Sequence, residues 1–111
     1  MPRKVVRAAT KHRRAKKVGI AALGGYDTQS LSQGQMCAIC GYARKPGGRR
    51  LAIDHSHTGM LDVRGLLCGR CNRGLRWFSD SPDALMTASF YLSYGWEAAC
   101  AYRDAIKSIR G

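Results

Sequence analysis

Two matched cysteine pairs are the strongest chemical pattern in this 111-residue sequence. Cys37 and Cys40 form one C-x-x-C pair, and Cys68 and Cys71 form another, with 27 residues (41–67) between the pairs. Each pair lets two thiolates reach one ion, and two pairs complete the tetrahedral shell that zinc prefers. Because four thiolates leave no open position on the metal, the spacing predicts a structural zinc site. The alternative is that the pairs are coincidental or redox-active.

A second group of residues suits chemistry on a phosphodiester bond. Asp54 and His55 lie between the cysteine pairs, and Asn72 directly follows the last paired cysteine. Carboxylate and amide oxygens suit a hard cation such as Mg²⁺ or Mn²⁺, and such an ion neutralises charge that develops on a phosphodiester. A neutral imidazole accepts a proton from water near pH 7. A lone histidine such as His55 is more often structural, so the hydrolytic interpretation depends on the combination.

The predicted elements around these residues are a hairpin and a helix. Residues 51–53 and 63–67 have the pattern of two short strands. Helical character then runs over residues 68–78, where Trp77 and Phe78 are expected to pack against the protein. Zinc binding by the two cysteine pairs would bring this helix back against the hairpin. The carboxylate, imidazole and amide of the second group would then lie near one another.

Helical signals also precede this region. Residues 5–23 suit either a basic helix or an arm that orders only on nucleic acid. A short helix is predicted from Asp27, as its N-cap, through Leu31 towards Gln35. Gly24 and the glycine after it separate the two segments.

Two helices are predicted near the C-terminus. Ser81 suits the N-cap of the first, with Pro82 at the first helical position, and Gly95 ends it. The second runs over residues 96–109. These helices carry more apolar residues than a small zinc-bound core can cover, which predicts a homodimer. The candidates for its interface are Leu85, Met86, Phe90, Leu92, Tyr94 and Trp96.

The charge of the chain points to a polyanionic partner. The net charge is +12, the pI is about 10.1, and the basic residues are clustered. Eight of the 19 Lys and Arg residues fall within residues 1–17, ahead of the first acidic residue, Asp27. A solvated tail and an exposed helix face are the alternative interpretations. The candidate nucleic-acid contacts are Arg13, Arg14, Lys16, Lys17, Arg44, Lys45, Arg49, Arg50, Arg64, Arg70, Arg73 and Arg76.

The run LAIDHSHTGMLDVRGLLCGRCNRGL, together with the first cysteine pair, resembles the recombination endonuclease VII family of phage junction-resolving nucleases. That family belongs to the His-Me finger (HNH, ββα-metal) group. The resemblance implies an α+β fold in which a small zinc-stabilised ββα-metal core carries flanking helices. We therefore expect a basic N-terminal helix or arm over residues 1–25, the zinc-bound nuclease core over residues 26–79, and C-terminal helices with a possible dimer interface over residues 80–111.

The same resemblance implies roles for the site residues. The four paired cysteines would bind structural zinc, and Asp54 and Asn72 would bind the catalytic Mg²⁺. His55 would be the general base, and His57 would lie beside the scissile phosphate.

The leading interpretation is a Mg²⁺-dependent DNA endonuclease that acts at branched or distorted DNA, either as a junction-resolving enzyme or as a nicking HNH-type enzyme. Its expected partner is branched, nicked or duplex DNA. A non-catalytic zinc-ribbon nucleic-acid-binding protein is the alternative, and it leaves the Asp54, His55 and Asn72 combination as a coincidence. A structural interaction protein, such as a packaging or ribosome-associated factor, is a third. The sequence has no apolar run of ~18 residues and no secretory signal. The expected compartment is the cytoplasm, that of the host if the protein is phage-encoded.

Overall fold

The computed structural model of the chain describes residues 13–14, 16–56 and 62–110. Within these ranges the protein is α+β, with five helices and one two-stranded antiparallel sheet, which confirms the predicted class. None of the helices there is long and apolar enough to cross a membrane. The elements are α1 (residues 16–22, with 13 and 14 also helical), α2 (Tyr26–Ser32), β1 (Ala52–His55), β2 (Val63–Leu67), α3 (Gly69–Trp77), α4 (Pro82–Tyr94) and α5 (Trp96–Arg110).

The chain folds as two compact units that divide between Asn72 and Arg73. The first unit contains the sheet and the four paired cysteines. The second contains α4 and α5. The three-part division at residues 25 and 79 stays a prediction.

The sheet carries the residues of chemical interest. Ala52 pairs with Leu67, and the antiparallel register continues along β1 until it shifts between Asp54 and His55. Asp54 and His55 belong to β1 itself rather than following it, so the first strand begins and ends later than the predicted 51–53. The predicted second strand, 63–67, is confirmed. The apolar core of this unit contains Leu51, Leu66, Leu67 and Ile20.

Helix α2 is attached to the outer edge of β2 by one side chain. The Gln33 amide nitrogen donates to the Leu66 carbonyl at 2.9 Å, and the Gln33 amide oxygen accepts from the Leu66 N–H at 2.8 Å. Gly65 leaves room for this contact, because a Cβ there would lie 3.1 Å from the Gln33 amide oxygen. The Ala38 N–H also donates to the Leu66 carbonyl. These bonds satisfy backbone groups that an edge strand would otherwise expose.

The predicted N-cap of α2 is wrong. Gly25 occupies that position at φ 99° and makes no side-chain cap. Asp27 lies within the first turn, where its negative charge interacts favourably with the helix dipole. Tyr26, the first helical residue, anchors this end by donating from its hydroxyl to the Leu51 carbonyl at 2.8 Å.

In the second unit, α4 and α5 pack together. The predicted cap is confirmed, since Ser81 Oγ accepts from the Ala84 N–H at 3.1 Å, and Gly95 ends α4 at φ 97°. The Phe90 ring lies 4.6 Å, centroid to centroid, from the Tyr102 ring. Residues two apart on a helix point about 200° apart, so this contact turns Leu92 outwards.

One packing prediction in this unit is wrong. Trp77, at the end of α3, is 84% exposed, although the sequence pattern predicts that it packs against the protein. Leu92, a candidate for the dimer interface, is also 84% exposed. The sequence pattern identifies Trp77 as apolar without showing which helix face is covered.

Candidate functional site

The four paired cysteines converge on one point. Their sulfur atoms all lie within 4.8 Å of one another, and Cys40 Sγ is 3.7 Å from Cys68 Sγ. Tetrahedral zinc with Zn–S bonds of ~2.3 Å requires sulfur atoms about 3.8 Å apart. The cluster of Cys37, Cys40, Cys68 and Cys71 therefore has the size and the ligands of a four-thiolate zinc site.

Local backbone bonds shape the two halves of this cluster. In the first pair, the Cys37 N–H donates to the Tyr42 carbonyl at 2.9 Å, and the Gly41 N–H donates back to the Cys37 carbonyl. Gly41 has φ 75°, which a residue without a Cβ adopts easily. In the second pair, Cys68 directly precedes α3, and its sulfur accepts from the Cys71 N–H at 3.5 Å. The sheet leads straight into this second pair, because β2 ends at the preceding residue.

The cluster holds its thiols in unequal states. Burial opposes ionisation of the Cys37 thiol, but hydrogen bonds from the backbone at Cys40, Cys68 and Ile39 outweigh it and lower its pKa to about 6. Burial raises the pKa of the Cys71 thiol to about 12, and hydrogen bonds to Cys68, Cys40 and the negative charge at Cys37 add to the rise. A bound metal ion would replace the Cys71 proton, since zinc binds thiolates.

Asp54 and His55 form a buried polar pair at the end of β1. Their exposed fractions are 6% and 5%, and they are the buried polar residues of the described chain. Charged residues are seldom fully buried without a partner. For Asp54 that partner is Arg64.

The Arg64 guanidinium donates a hydrogen bond to each carboxylate oxygen of Asp54. Arg64 Nε donates to Oδ2 at 2.7 Å, and Nη2 donates to Oδ1 at 3.1 Å. Two parallel charge-assisted bonds of this kind fix geometry as well as adding stability. Asp54 therefore already accepts a cationic group in this structure, which fits its predicted role as a ligand for a hard cation.

A β-bulge produces this contact. Asp54 pairs with Gly65, but His55 pairs with Val63, so Arg64 is one extra residue in β2. Bulges occur beside active sites, where they re-aim a side chain. The sequence pattern predicts Arg64 as a nucleic-acid contact and does not reveal its pairing with Asp54, because only the strand register brings them together.

The remaining predicted site residues stand as follows. Asn72 is half-buried in α3, one residue after Cys71, and its approach to Asp54 stays a prediction. His57 lies outside the described residues. Lys16 is half-buried, and the other predicted nucleic-acid contacts are exposed, namely Arg13, Arg14, Lys17, Arg44, Lys45, Arg49, Arg50, Arg64, Arg70, Arg73 and Arg76.

The basic loop after the first cysteine pair has defined contacts. Arg50 lies over the Tyr26 ring, 4.0 Å from its centroid. Arg44 Nε donates to the Gly48 carbonyl at 2.9 Å. Each contact restrains one guanidinium while leaving the residue exposed, which is an arrangement suited to meeting phosphates.

Comparison with known proteins confirms the family resemblance predicted from the sequence. The family profile described as recombination endonuclease VII matches residues 11–94. The Gene 59 protein of Mycobacterium phage D29 is 48% identical over 63 residues, which cover 54% of this chain and 36% of that relative. This chain thus matches only about a third of the length of the curated relative. No solved structure matches it. With the profile spanning most of the sequence, the chain belongs to the recombination endonuclease VII family.

Proposed function

We propose that the protein is a metal-dependent endodeoxyribonuclease with a ββα-metal core, which hydrolyses phosphodiester bonds at branched or distorted DNA. The observation that carries the proposal is the buried Asp54–His55 pair on β1. The strand that pairs with β1, which is β2, leads directly into Cys68 in the second half of the cysteine cluster. The membership of the chain in a family of recombination endonucleases supports the same activity.

The chemistry of each side chain suggests its role in hydrolysis. His55 takes the proton from the attacking water, since an imidazole is a suitable base near neutral pH. Asp54 and Asn72 would hold Mg²⁺ or Mn²⁺ through hard oxygen ligands. When bound, that ion supplies neutralisation of the charge that develops on the phosphodiester. His57 is placed by resemblance beside the scissile phosphate.

The four-cysteine cluster has a structural role in this proposal. Zinc there would hold the first cysteine pair, β2 and the start of α3 in one arrangement. Because all four ligands come from the protein, the ion has no position left for water or substrate. Paired thiols of this kind bind metal in a reducing compartment such as the host cytoplasm, where a phage enzyme would act.

DNA would be held chiefly through phosphates. The exposed basic residues around the first cysteine pair and on α1 and α3 supply the charge, and such contacts position DNA without reading its sequence. The preference for branched DNA rests on the family resemblance. A non-catalytic zinc-ribbon protein remains the alternative, and it would bind DNA in the same way.

We also propose a homodimer. Large apolar side chains stay exposed on α4 and α5, and two active sites are needed to cut two strands, which a C2 dimer supplies. Of the interface candidates, Met86, Leu92, Tyr94 and Trp96 are exposed, and Tyr91 and Ile109 are further exposed apolar residues of the same helices.

Cleavage of a four-way junction, a nicked duplex and a linear duplex tests the activity. The zinc-loaded protein should cut the junction or the nicked duplex when Mg²⁺ is present and leave all three intact when it is omitted. Omitting Mg²⁺, rather than adding a chelator, keeps the structural zinc in place. Binding of all three DNAs without any cutting would support the zinc-ribbon alternative and reject the nuclease.

A further inference from the structure

We infer that Arg64 is a positioning residue that occupies the cation site of Asp54 in the DNA-free protein and moves to a DNA phosphate when substrate binds. This inference rests on the proposed function. It makes the binding of DNA and the binding of the divalent cation mutually favourable.

Arg64 occupies the two Asp54 oxygens that a cation would need. Both Asp54 oxygens accept hydrogen bonds from one guanidinium, at 2.7 and 3.1 Å. A Mg²⁺ or Mn²⁺ ion needs at least one of these oxygens at ~2.1 Å. It would then lie close to a second positive charge. The ion and the guanidinium therefore compete for the same carboxylate.

The fold itself places Arg64 beside Asp54. Arg64 is the extra residue of the β2 bulge, and the residue opposite Asp54 is Gly65, which has no side chain. In a regular register Gly65 would still lie opposite Asp54, but Arg64 would pair with His55 and its side chain would lie on the other face of the sheet. The bulge instead places the Arg64 guanidinium, with two donor nitrogens, against Asp54, the carboxylate that is predicted to bind the catalytic cation.

The Arg64 side chain is also accessible to a second anionic partner. Its side chain is 39% exposed, whereas that of Asp54 is 7% exposed. The guanidinium can therefore reach a molecule in solution while the carboxylate stays in place. A phosphate accepts the same pair of parallel hydrogen bonds as a carboxylate does. DNA lying against β2 would thus draw Arg64 away and leave Asp54 for the cation.

The test measures Mn²⁺ binding rather than cutting. Zinc-loaded protein carrying His55→Ala, which prevents turnover, is titrated with Mn²⁺, and free Mn²⁺ is followed by electron paramagnetic resonance. A Mn²⁺ site that disappears in the Asp54→Asn variant is assigned to Asp54. We expect Arg64→Gln to bind Mn²⁺ there about tenfold more tightly without DNA, within the range typical of coupling between sites. With saturating junction DNA, the two proteins should differ much less.

Matched variants separate competition from net charge. Arg103→Gln removes an exposed arginine that pairs with Asp104 at 3.1 Å on α5, so it lowers the charge equally and should not change Mn²⁺ affinity. Arg64→Lys keeps the charge without the two donor nitrogens and should give an intermediate affinity. Equal or weaker Mn²⁺ binding by zinc-loaded Arg64→Gln would overturn the inference.

The unsubstituted Arg64 protein provides a second measurement if Arg64→Gln loses its zinc. Saturating DNA should tighten Mn²⁺ binding at the Asp54 site about tenfold, and an unchanged affinity would reject the coupling. Failure of the proposed function looks different. In that case no Mn²⁺ site depends on Asp54 with or without DNA, and the protein with His55 intact cuts none of the substrates.

Discussion

Gln33 pairs with Leu66 as a third strand would, through a side-chain amide that binds both the N–H and the carbonyl of the β2 residue. The contact joins residues 33 positions apart. It holds α2 on the edge of the strand that carries Arg64 and leads into Cys68. The stability of the first unit should therefore depend on this one amide.

We expect Gln33→Ala to lower the free energy of unfolding of the zinc-loaded protein by roughly 1–3 kcal/mol, because it leaves the Leu66 N–H without its acceptor. Urea denaturation measures the change. Gln29→Ala is the control, since Gln29 donates to the Gln33 amide oxygen at 2.9 Å and its loss leaves both Gln33–Leu66 bonds in place, so it should cost less. Equal stabilities for Gln33→Ala and the unsubstituted protein would contradict this role.

The affinity of the cluster for zinc should rise with pH. Zinc requires thiolates, and the pKa of Cys71 is raised to about 12, so that thiol must release a proton on binding. The pKa of Cys37 is lowered to about 6, so this residue adds a further competing proton only below that pH. The pH dependence should therefore steepen as the pH falls through about 6.

Competition with a chromophoric chelator from pH 5 to pH 8 would measure this affinity. One zinc ion per chain is expected, and Cys68→Ser should lose it. Cys100→Ser changes the one cysteine outside the cluster and should keep both the zinc and its pH profile. A pH-independent affinity would argue against thiolate ligation.

Neutralising the N-terminal basic residues should weaken DNA binding in a salt-dependent way. Arg13 and Arg14 are exposed and helical. If both contact phosphates, their replacement by Gln should reduce the slope of log affinity against log salt by up to about 1.8. Replacement of Arg103 and Lys107 by Gln removes the same charge from α5 and serves as the control. Identical slopes for the two double variants would mean that Arg13 and Arg14 belong to a solvated tail.

The proposed dimer predicts a specific disruption. Leu92 is exposed on α4, away from the Phe90–Tyr102 contact. Leu92→Lys should therefore leave the helix pair folded and convert a dimer to a monomer, as measured by light scattering at micromolar concentration with and without DNA. Thr87→Ser is a mild control, because its hydroxyl bonds only within α4, to the Asp83 carbonyl. A monomeric mass for the unsubstituted protein in both conditions would exclude the dimer.

Features that depend on short-range spacing can be predicted from this sequence. Each C-x-x-C pair indicates half of the metal cluster, and Ser81 and Gly95 mark the ends of α4, because each of these signals depends on residues a few positions apart. The strand pattern also identifies β2 correctly.

Features that depend on register cannot be predicted in this way. The pairing of Arg64 with Asp54 requires a one-residue shift between two strands. The pairing of Gln33 with Leu66 requires a helix to lie at a particular place along a strand. Trp77 shows the same limit, because its apolar character does not reveal which helix face meets a neighbour.

In the proposed mechanism, His55 activates the water that attacks DNA. Loss of a general base typically costs ~10²–10⁴ in rate, so His55→Ala should nearly abolish cutting while it keeps zinc and DNA binding. Asp54→Asn should also be inactive. Added Mg²⁺ should partly restore Asn72→Ala or Asp54→Asn, but not His55→Ala, because a cation cannot replace a missing base.

The most direct measurement is single-turnover cleavage of a four-way junction by purified, zinc-loaded His55→Ala across a Mg²⁺ titration, with zinc content and DNA affinity measured on the same sample. We expect His55→Ala to bind DNA as tightly as the unsubstituted protein does and to cut it at least about 10²-fold more slowly at every Mg²⁺ concentration. Cutting at close to the unsubstituted rate would contradict this mechanism.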